Sequence, residues 1–131
     1  MITLGQLIEK LEAEPQDNSI QFDFCGLYIG EICVLNSFFT QEIHDLMFTC
    51  RMEQGEIVTV GDLLKQCNSL VGSSFTSLSH KTAIIDKNFG IHITRDKENL
   101  GTSINDVITE KAPYTEELTT YTYLTTSRLI W

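Results

Sequence analysis

Two stretches decide the fold: "ITLGQLIEKL" (residues 2–11) and "VTVGDLLKQC" (residues 58–67), which follow nearly the same pattern. In each stretch the second residue is a threonine, whose hydroxyl can cap a helix by accepting a hydrogen bond from a backbone N–H of the first turn. Apolar residues then recur three and four positions apart, which is typical of a helix with one buried face. The pattern therefore predicts two short amphipathic helices, over residues 3–14 and 59–71.

The ends of these helices and the element that follows the first one can also be predicted. Pro15 ends the first helix, because proline has no N–H and clashes with the preceding turn. Gly72 suits the left-handed conformation that closes many helices. After a "PQDNS" turn, "IQFDFC" (residues 20–25) alternates apolar and polar residues, as a half-buried strand does. The predicted core combines the helix stripes with this strand: Leu4, Leu7, Leu11, Leu63, Leu64, Ile20, Phe22 and Phe24.

The rest of the chain is rich in strand-like runs. Before the second helix stand "EICVL" and "DLMFTCR", and after it stand "TAIID", "GIHIT" and "SINDVIT", with turns of Asp, Asn and Gly between the last three. Residues 112–131 are rich in Thr and Tyr, so this segment is either an edge strand or a tail that becomes ordered against a partner. We therefore predict an α+β fold in which two short helices pack on one mainly antiparallel sheet.

The two opening stretches also suggest an internal duplication of a helix–strand unit. Among ten aligned positions the threonine, the glycine and one leucine are identical, and four other positions are apolar in both. Two units that cannot bury their apolar faces alone would share one core. The alternative is chance recurrence, since threonine caps and leucine stripes are common. We expect a single domain over residues 1–131, with an acidic first half (1–57), a second helix–strand unit (58–111) and the C-terminal segment (112–131).

The net charge of −9 is unevenly distributed. Residues 1–57 hold ten acidic and two basic residues, a balance of −8, whereas residues 58–131 hold eight acidic and seven basic residues, a balance of −1. An acidic chain repels nucleic acid and anionic membranes, so neither is an expected partner. The carboxylates serve either solubility or contact with a basic partner. Because no signal peptide or membrane-spanning run is evident, we expect a soluble cytoplasmic protein.

The cysteines and histidines do not have the spacing of a metal site. Cysteines stand at positions 25, 33, 50 and 67, and no pair is Cys-x2-Cys. We interpret them as small buried hydrophobic residues, with a disulfide or a reactive thiol as the alternative. The histidines at 44, 80 and 92 show no metal-ligand spacing either, and phosphate-loop and nucleophile-elbow motifs are absent from the sequence. We therefore expect no cofactor and no metal.

The runs "TLGQLIEKLEAEPQDNSIQFDFCGL" and "VTVGDLLKQCNSLVGSSFT" resemble small proteins encoded by tailed bacteriophages. The likeness covers residues 1–95 and consists of capping and packing motifs. Such relatives tend to carry an Arg-Gly-Tyr-Tyr-type segment followed by Asp-Leu. In the matching "NSFFTQEIHDL" the aromatic pair Phe38-Phe39 and Asp45-Leu46 persist, but the arginine is gone, and its role cannot be carried over. The resemblance implies a phage protein in the host cytoplasm, and small phage proteins often disarm host immunity.

Two His-x-Thr motifs are the one catalytic-looking pattern. They lie at residues 80–82 and 92–94, only 12 positions apart. The pair resembles the signature of two-histidine phosphoesterases, in which the histidines exchange protons and the threonines hold the phosphate. In that family the motifs come from separate halves of the chain, so this spacing argues against turnover. In "GIHIT", Ile91 and Ile93 should face the core, and His92 and Thr94 should face solvent or a ligand.

Three functions follow from these patterns. The leading hypothesis is a non-enzymatic phage counter-defence protein that inhibits a host defence protein by stoichiometric binding through an acidic face. That face comprises Glu9, Glu12, Glu14, Asp17, Asp23 and Glu31. The first alternative is a sponge that sequesters a nucleotide immune signal, such as a cyclic nucleotide, by phosphate contacts. It would be a homo-oligomer with its pockets between subunits. Its site would comprise His80, Lys81, Lys87, His92, Thr94, Arg95 and Lys97. The second alternative is a phosphodiesterase acting on such a signal.

Overall fold

The computed structural model describes residues 2–23, 27–36, 43–76, 82–94, 102–111 and 120–126. The described part contains two helices, α1 (Leu4–Glu12) and α2 (Val60–Leu70). Its strands are β1 (Ser19–Phe22), β2 (Tyr28–Asn36), β3 (Ile43–Arg51), β4 (Ser74–Thr76), β5 (Thr82–Ile84), β6 (Gly90–Thr94), β7 (Thr102–Lys111) and β8 (Thr120–Thr126). The helices agree with the predicted spans to within two residues at each end.

The strands form one six-stranded sheet and one separate ribbon. The order in the sheet is β1-β8-β7-β6-β3-β2, and β4 pairs with β5 alone. Strand β1 is parallel to β8 and β6 is parallel to β3, whereas the pairs β2/β3, β6/β7 and β7/β8 are antiparallel. The predicted α+β class with a mainly antiparallel sheet is therefore confirmed, although the sheet is mixed.

One hydrophobic core contains residues from both helices and from the sheet. Most of the predicted core residues are buried: Leu4, Leu7, Leu11, Leu63, Ile20 and Phe22. Leu64 is only partly buried and packs against the edge of this core. Phe24 lies outside the described residues. Burying these side chains is the main stabilising contribution to such a fold, at roughly 1.5–3 kcal/mol for each fully buried one.

The C-terminal segment contributes a central strand rather than an edge strand. Strand β8 lies between β1 and β7, and it is bonded to both. Its burial alternates, with Thr122, Leu124 and Thr126 on the buried face. The expectation of an edge strand is wrong because β1 pairs in parallel with β8, and local sequence contains no signal for a partner about 100 residues away.

Both helices begin with the predicted threonine cap. The Thr3 hydroxyl accepts from the Gln6 N–H at 3.2 Å, and the Gln6 side chain accepts from the Thr3 N–H at 2.9 Å. Thr59 and Asp62 form the same reciprocal pair at the start of α2, at 3.1 and 3.2 Å. Each pair is a capping box, which satisfies two of the backbone donors that a helix start leaves without a partner. Beyond α2, Gly72 has a φ of 85°, as predicted.

The start of α1 is also covered by the turn that leads into β6. The Leu4 N–H donates to the Phe89 carbonyl at 2.8 Å, and the Gly5 N–H donates to the Lys87 carbonyl at 2.9 Å. An isolated bridge joins Thr3 to Gly90 at the beginning of β6. Backbone N–H groups in the first turn of α1 therefore donate to carbonyls in the second half of the chain.

The start of α2 is covered in the same way by the turn that leads into β1. The Val60 N–H donates to the Asn18 carbonyl at 2.9 Å, and the Gly61 N–H donates to the Gln16 carbonyl at 3.0 Å. Each helix is thus capped by the turn that precedes the first sheet strand of the other half. The same exchange appears in the sheet, where β1 joins β8 and β6 joins β3.

The chain can therefore be divided into two similar units that exchange contacts. The first unit is α1-β1 with the β2/β3 pair, and the second is α2-β6 with the β7/β8 pair. The ribbon β4/β5 interrupts the second unit between α2 and β6 and has no counterpart in the described part of the first. This topology is the one that a duplicated helix–strand unit would give, and the duplication stays an interpretation.

Candidate functional site

Three carboxylates lie on and just after α1. Glu9, Glu12 and Asp17 are all exposed, and none of them has a side-chain hydrogen bond or ion pair with any residue in the described ranges. The cation of this helix, Lys10, is engaged elsewhere, because its Nζ lies 2.9 Å from Asp106 Oδ1 on β7. The hydrogen bond from Lys10 holds the pKa of Asp106 below its usual range. Glu9, Glu12 and Asp17, hereafter the α1 carboxylates, therefore keep their charges for solvent or a partner.

Glu14 belongs to an internal network rather than to this surface. Its Oε2 accepts from the Thr109 hydroxyl on β7 at 2.5 Å. The Thr109 hydroxyl is 2.9 Å from the hydroxyl of Thr122, which is fully buried on β8 and also accepts from Asn18 Nδ2 at 3.3 Å. A charge-assisted hydrogen bond of this kind fixes the end of α1 to the sheet. We leave Glu14 out of the binding surface.

Asp23 joins the ends of two parallel strands. Its Oδ1 accepts from the Thr126 hydroxyl at 2.9 Å and its Oδ2 accepts from the Thr126 N–H at 3.2 Å. The Asp23 N–H donates to the Leu124 carbonyl at 3.1 Å, which continues the ladder between β1 and β8. Both carboxylate oxygens therefore have partners inside the protein, so Asp23, like Glu14, is not part of the proposed binding surface.

Glu31 lies apart from the α1 carboxylates, in a groove between β2 and α2. This β2–α2 groove has a volume of about 410 Å³. The residues along it are Ile29, Gly30, Glu31, Ile32, Cys33, Arg51, Glu56, Ile57, Gln66 and Leu70. The six residues of the predicted acidic face therefore do not form one surface. Three are the α1 carboxylates, two (Glu14 and Asp23) are in internal hydrogen bonds, and one (Glu31) lies in the groove.

A β-bulge shapes the β2 wall of this groove. The register between β2 and β3 shifts between Ile29 and Ile32. At the bulge the Thr49 hydroxyl accepts from the Glu31 N–H at 2.7 Å and donates to the Glu31 carbonyl at 3.2 Å. A Cβ at Gly30 would lie 2.5 Å from that hydroxyl oxygen, so only glycine fits. A glycine inside a strand-like run is a known signal for a bulge, and it could have revealed this feature from the sequence.

His92 occupies the outer face of the sheet, as the alternation predicted. Ile91 and Ile93 are buried, whereas the His92 side chain is 26% exposed. Its Nε2 lies 3.1 Å from Asp45 Oδ2 on β3, and Asp45 Oδ1 accepts from the Gly90 N–H at 3.2 Å. Asp45 therefore orients the imidazole from the neighbouring strand, a contact that the sequence reasoning missed because it depends on the parallel register of β3 and β6.

Only Lys87, His92 and Thr94 of the predicted basic site lie in the described part of the chain. Lys87 lies exposed in the turn before β6, where its backbone caps α1, while His92 faces Asp45 further along the strand. The backbone of Thr94 pairs with Thr49. The other members of that predicted site lie outside the described residues: His80, Lys81, Arg95 and Lys97.

Cys33 and Cys67 do not form a reactive pair with His92. Cys67 is fully buried in α2, and burial raises the pKa of its thiol to about 12. Cys33 is half-buried on the outer face, but Met47 separates it from His92, since Cys33 pairs with Met47 and Met47 pairs with His92. A nucleophilic thiol needs a base within hydrogen-bond distance. Because Met47 lies between them, His92 cannot act as that base for Cys33. Cys25 lies outside the described residues.

Within the described ranges, no three His, Cys, Asp or Glu side chains are placed to bind one metal ion. Neither of the two described helices has the length and apolar character needed to cross a membrane. Comparisons of the chain with protein-family models, curated proteins and solved structures found no match. The geometry of the α1 surface and of the groove is therefore what bears on function.

Proposed function

We propose that this protein is a non-enzymatic inhibitor that binds a basic protein partner through the α1 carboxylates. The observation that carries the proposal is that Glu9, Glu12 and Asp17 are exposed and have no partner among the described residues, while Lys10 is held by Asp106. Unpaired surface carboxylates attract cationic surfaces over about a Debye length. The net charge of −9 adds to this field and favours fast encounter.

The resemblance to tailed-phage proteins favours a host defence effector as the partner. Such effectors bind nucleic acid through grooves rich in Lys and Arg. A compact acidic surface would compete with the phosphate backbone for those side chains. The inhibitor would act by occupancy, one molecule for one effector, in the cytoplasm of the host.

The nucleotide-sponge alternative has less support. A phosphate needs cationic or N–H donors, and the Asp45 carboxylate already lies against His92 Nε2. That carboxylate would repel a phosphate approaching His92. The phosphodiesterase gains no support, because His80 of its second motif lies outside the described residues. The sponge remains as an outcome of the test that follows.

A charge-neutralising variant tests the proposal. The triple variant Glu9→Gln, Glu12→Gln, Asp17→Asn keeps side-chain shape and removes three charges from the α1 surface. The matched control Glu53→Gln, Asp86→Asn, Glu110→Gln removes three exposed charges elsewhere. The partner would first be captured from host lysate and identified, and association rates would then be measured by biolayer interferometry at 0.05 and 0.2 M salt.

We expect the triple variant to associate more slowly and with weaker salt dependence than the control. Between the two salt concentrations the Debye length falls from roughly 14 to 7 Å, so rim charges act mainly at low salt. Both variants would also be assayed for phage protection in a host with an active defence system. If the triple variant protects fully while neutralising Lys81, Arg95 and Lys97 abolishes protection, the inhibitor proposal is wrong and the sponge replaces it.

A further inference from the structure

Strand β2 ends the six-stranded sheet and borders the β2–α2 groove. Along Ile29–Cys33 its backbone makes no hydrogen bond to a further strand in the described part of the chain. Strand β1 approaches the start of β2, where the Phe22 N–H donates to the Leu27 carbonyl at 2.9 Å. In a terminal strand, alternate N–H and C=O groups point away from the sheet and can pair with another chain. At the bulge, the N–H and C=O of Glu31 are bonded to the Thr49 hydroxyl, so the groups left for pairing are those of its neighbours on β2.

The opposite wall of the groove comes from α2 and from the loop before it. Gln66 and Leu70 project from the helix, and Ile57 closes the apolar base. The volume of about 410 Å³ falls within the range of roughly 300–1,000 Å³ that is usual for ligand sites. Five consecutive β2 residues line the groove, so it follows the strand for about 13 Å at 3.3 Å per residue. This elongated shape suits an extended chain better than a compact small molecule.

The charged side chains of the groove are not paired with one another. Glu31 and Glu56 are exposed on its rim, and Arg51 lies across it, where a Cβ at Gly55 would be 2.9 Å from its Nη1. None of the three has a side-chain hydrogen bond or ion pair with another described residue. Two carboxylates suit a cationic side chain, and the guanidinium can donate to a main-chain carbonyl.

We propose that the β2–α2 groove binds an extended segment of a partner protein, which adds to β2 as a further strand and places a Lys or Arg between Glu31 and Glu56. This inference rests on the proposed function, since it assigns the segment to the same basic partner. Main-chain hydrogen bonds to β2 supply affinity, and the two carboxylates supply the preference for a basic side chain. Glu31 thereby acts in a second contact, separate from the α1 carboxylates.

A random heptapeptide library displayed on filamentous phage provides the probe. Selection against the full chain should enrich peptides with alternating apolar residues and at least one Lys or Arg. A selected peptide, made synthetically with a fluorophore, would be measured by fluorescence anisotropy against wild type and the variant Glu31→Gln, Glu56→Gln. We expect roughly threefold to tenfold weaker binding to the variant, because each exposed charge pair contributes little by itself. The matched control is Glu53→Gln, Glu110→Gln.

Amide hydrogen exchange locates the bound peptide. Exchange at Ile29–Cys33 should slow in the complex, and a peptide N-methylated at alternate residues should not bind, because it cannot pair with β2. Failure to enrich any peptide, enrichment without basic residues, protection elsewhere, or equal binding of the N-methylated peptide would each overturn the inference. These readouts do not depend on the α1 carboxylates. The groove could therefore fail while the triple α1 variant still slows partner association, and the reverse outcome is equally distinguishable.

Discussion

At the scale of single residues, burial decides what a side chain can do. Cys67 shows no exposed surface and lies in the core on α2. Removing the thiol from water disfavours the thiolate, and this raises the pKa to about 12 from an ordinary value of 9.0. Glu14 and Asp23 are half-buried carboxylates, and each accepts a hydrogen bond from a threonine hydroxyl of the sheet.

The raised pKa of Cys67 predicts a loss of stability at alkaline pH. The unfolded thiol ionises near pH 9.0, whereas the folded thiol keeps its proton to about pH 12, so the unfolded state binds fewer protons between these values. The free energy of unfolding should therefore fall with rising pH above 9, by up to about 1.4 kcal/mol per pH unit from this group. Urea unfolding of wild type and Cys67→Ala between pH 8 and 11 measures the difference.

The comparison isolates Cys67 because other groups titrate equally in both proteins. We expect the two stabilities to converge as pH rises, since Cys67→Ala has no thiol to ionise. Cys33→Ala, at a half-buried site, serves as the control for removing a cysteine. Parallel pH profiles of wild type and Cys67→Ala would contradict the prediction.

At the scale of elements, the start of each helix explains the repeated Thr-x-Gly motif. A Cβ at Gly5 would lie 2.9 Å from Lys87 Cβ and 3.2 Å from the Lys87 carbonyl oxygen. A Cβ at Gly61 would lie 3.3 Å from the Gln16 carbonyl oxygen. Both glycines therefore allow a turn from the other unit to approach the first helical turn. The threonine side chain caps the helix of its own unit. The glycine, which has no Cβ, leaves room for the capping turn of the other unit.

This close approach predicts that alanine does not stabilise α1 at position 5. Alanine is favoured over glycine in helix interiors by about 1 kcal/mol. At Gly5 the contact with Lys87 should outweigh this gain, and we expect Gly5→Ala to reduce the free energy of unfolding by about 1–3 kcal/mol. Gly61→Ala should be close to neutral, because its contact is longer. Urea unfolding of both variants checks the order.

Asn68→Ala is the control for helix propensity in this comparison. Asn68 is exposed on α2, so alanine should stabilise there by about half a kcal/mol. If Gly5→Ala were as stabilising as Asn68→Ala, the turn before β6 would not restrict the start of α1.

At the scale of the whole molecule, two interlocked units share one core, and the β4/β5 ribbon contacts that core through the partly buried Ala83. The ribbon pairs only with itself in the described sheets, and it exposes 37% of Phe75 and 63% of Ile84. At its base the Ile85 N–H donates to the Ser73 carbonyl at 2.9 Å. If two residues replaced residues 74–84, this bond would become the bond between the carbonyl of residue i and the N–H of residue i+3 of a tight turn, so the chain could close at this point without the ribbon.

Replacing residues 74–84 by Asn-Gly should therefore leave the fold intact. Asn-Gly is the favoured two-residue connection between paired backbones. Of the removed residues that the structure describes, all but Ala83 are exposed. We expect a single cooperative urea transition and a stability within about 1 kcal/mol of wild type. Ile85→Ala, which alters the buried residue beside the ribbon, should instead cost about 2–5 kcal/mol. Loss of cooperative unfolding in the shortened chain would contradict the division into two units.

The local features of this protein can be predicted from residue patterns alone. Residue spacing predicts the spans of the helices, both threonine caps, the left-handed Gly72 and the outward position of His92. These features are predictable because the periodicity of a helix or a strand depends only on residues a few positions apart. The exposure of Glu9, Glu12 and Asp17 was predictable for the same reason. The bulge at Gly30 could also have been predicted from a glycine inside a strand.

Which distant segments contact one another could be learned only from the tertiary structure. The place of β8 in the sheet, the Asp23–Thr126 bonds across 103 residues and the Asp45–His92 contact across 47 all depend on strand order. The same holds for the groove, whose Arg51, Glu56 and Gln66 come from three elements. Sequence periodicity fixes which face of a strand is buried but not which strand lies beside it, since that choice depends on the packing of the whole core.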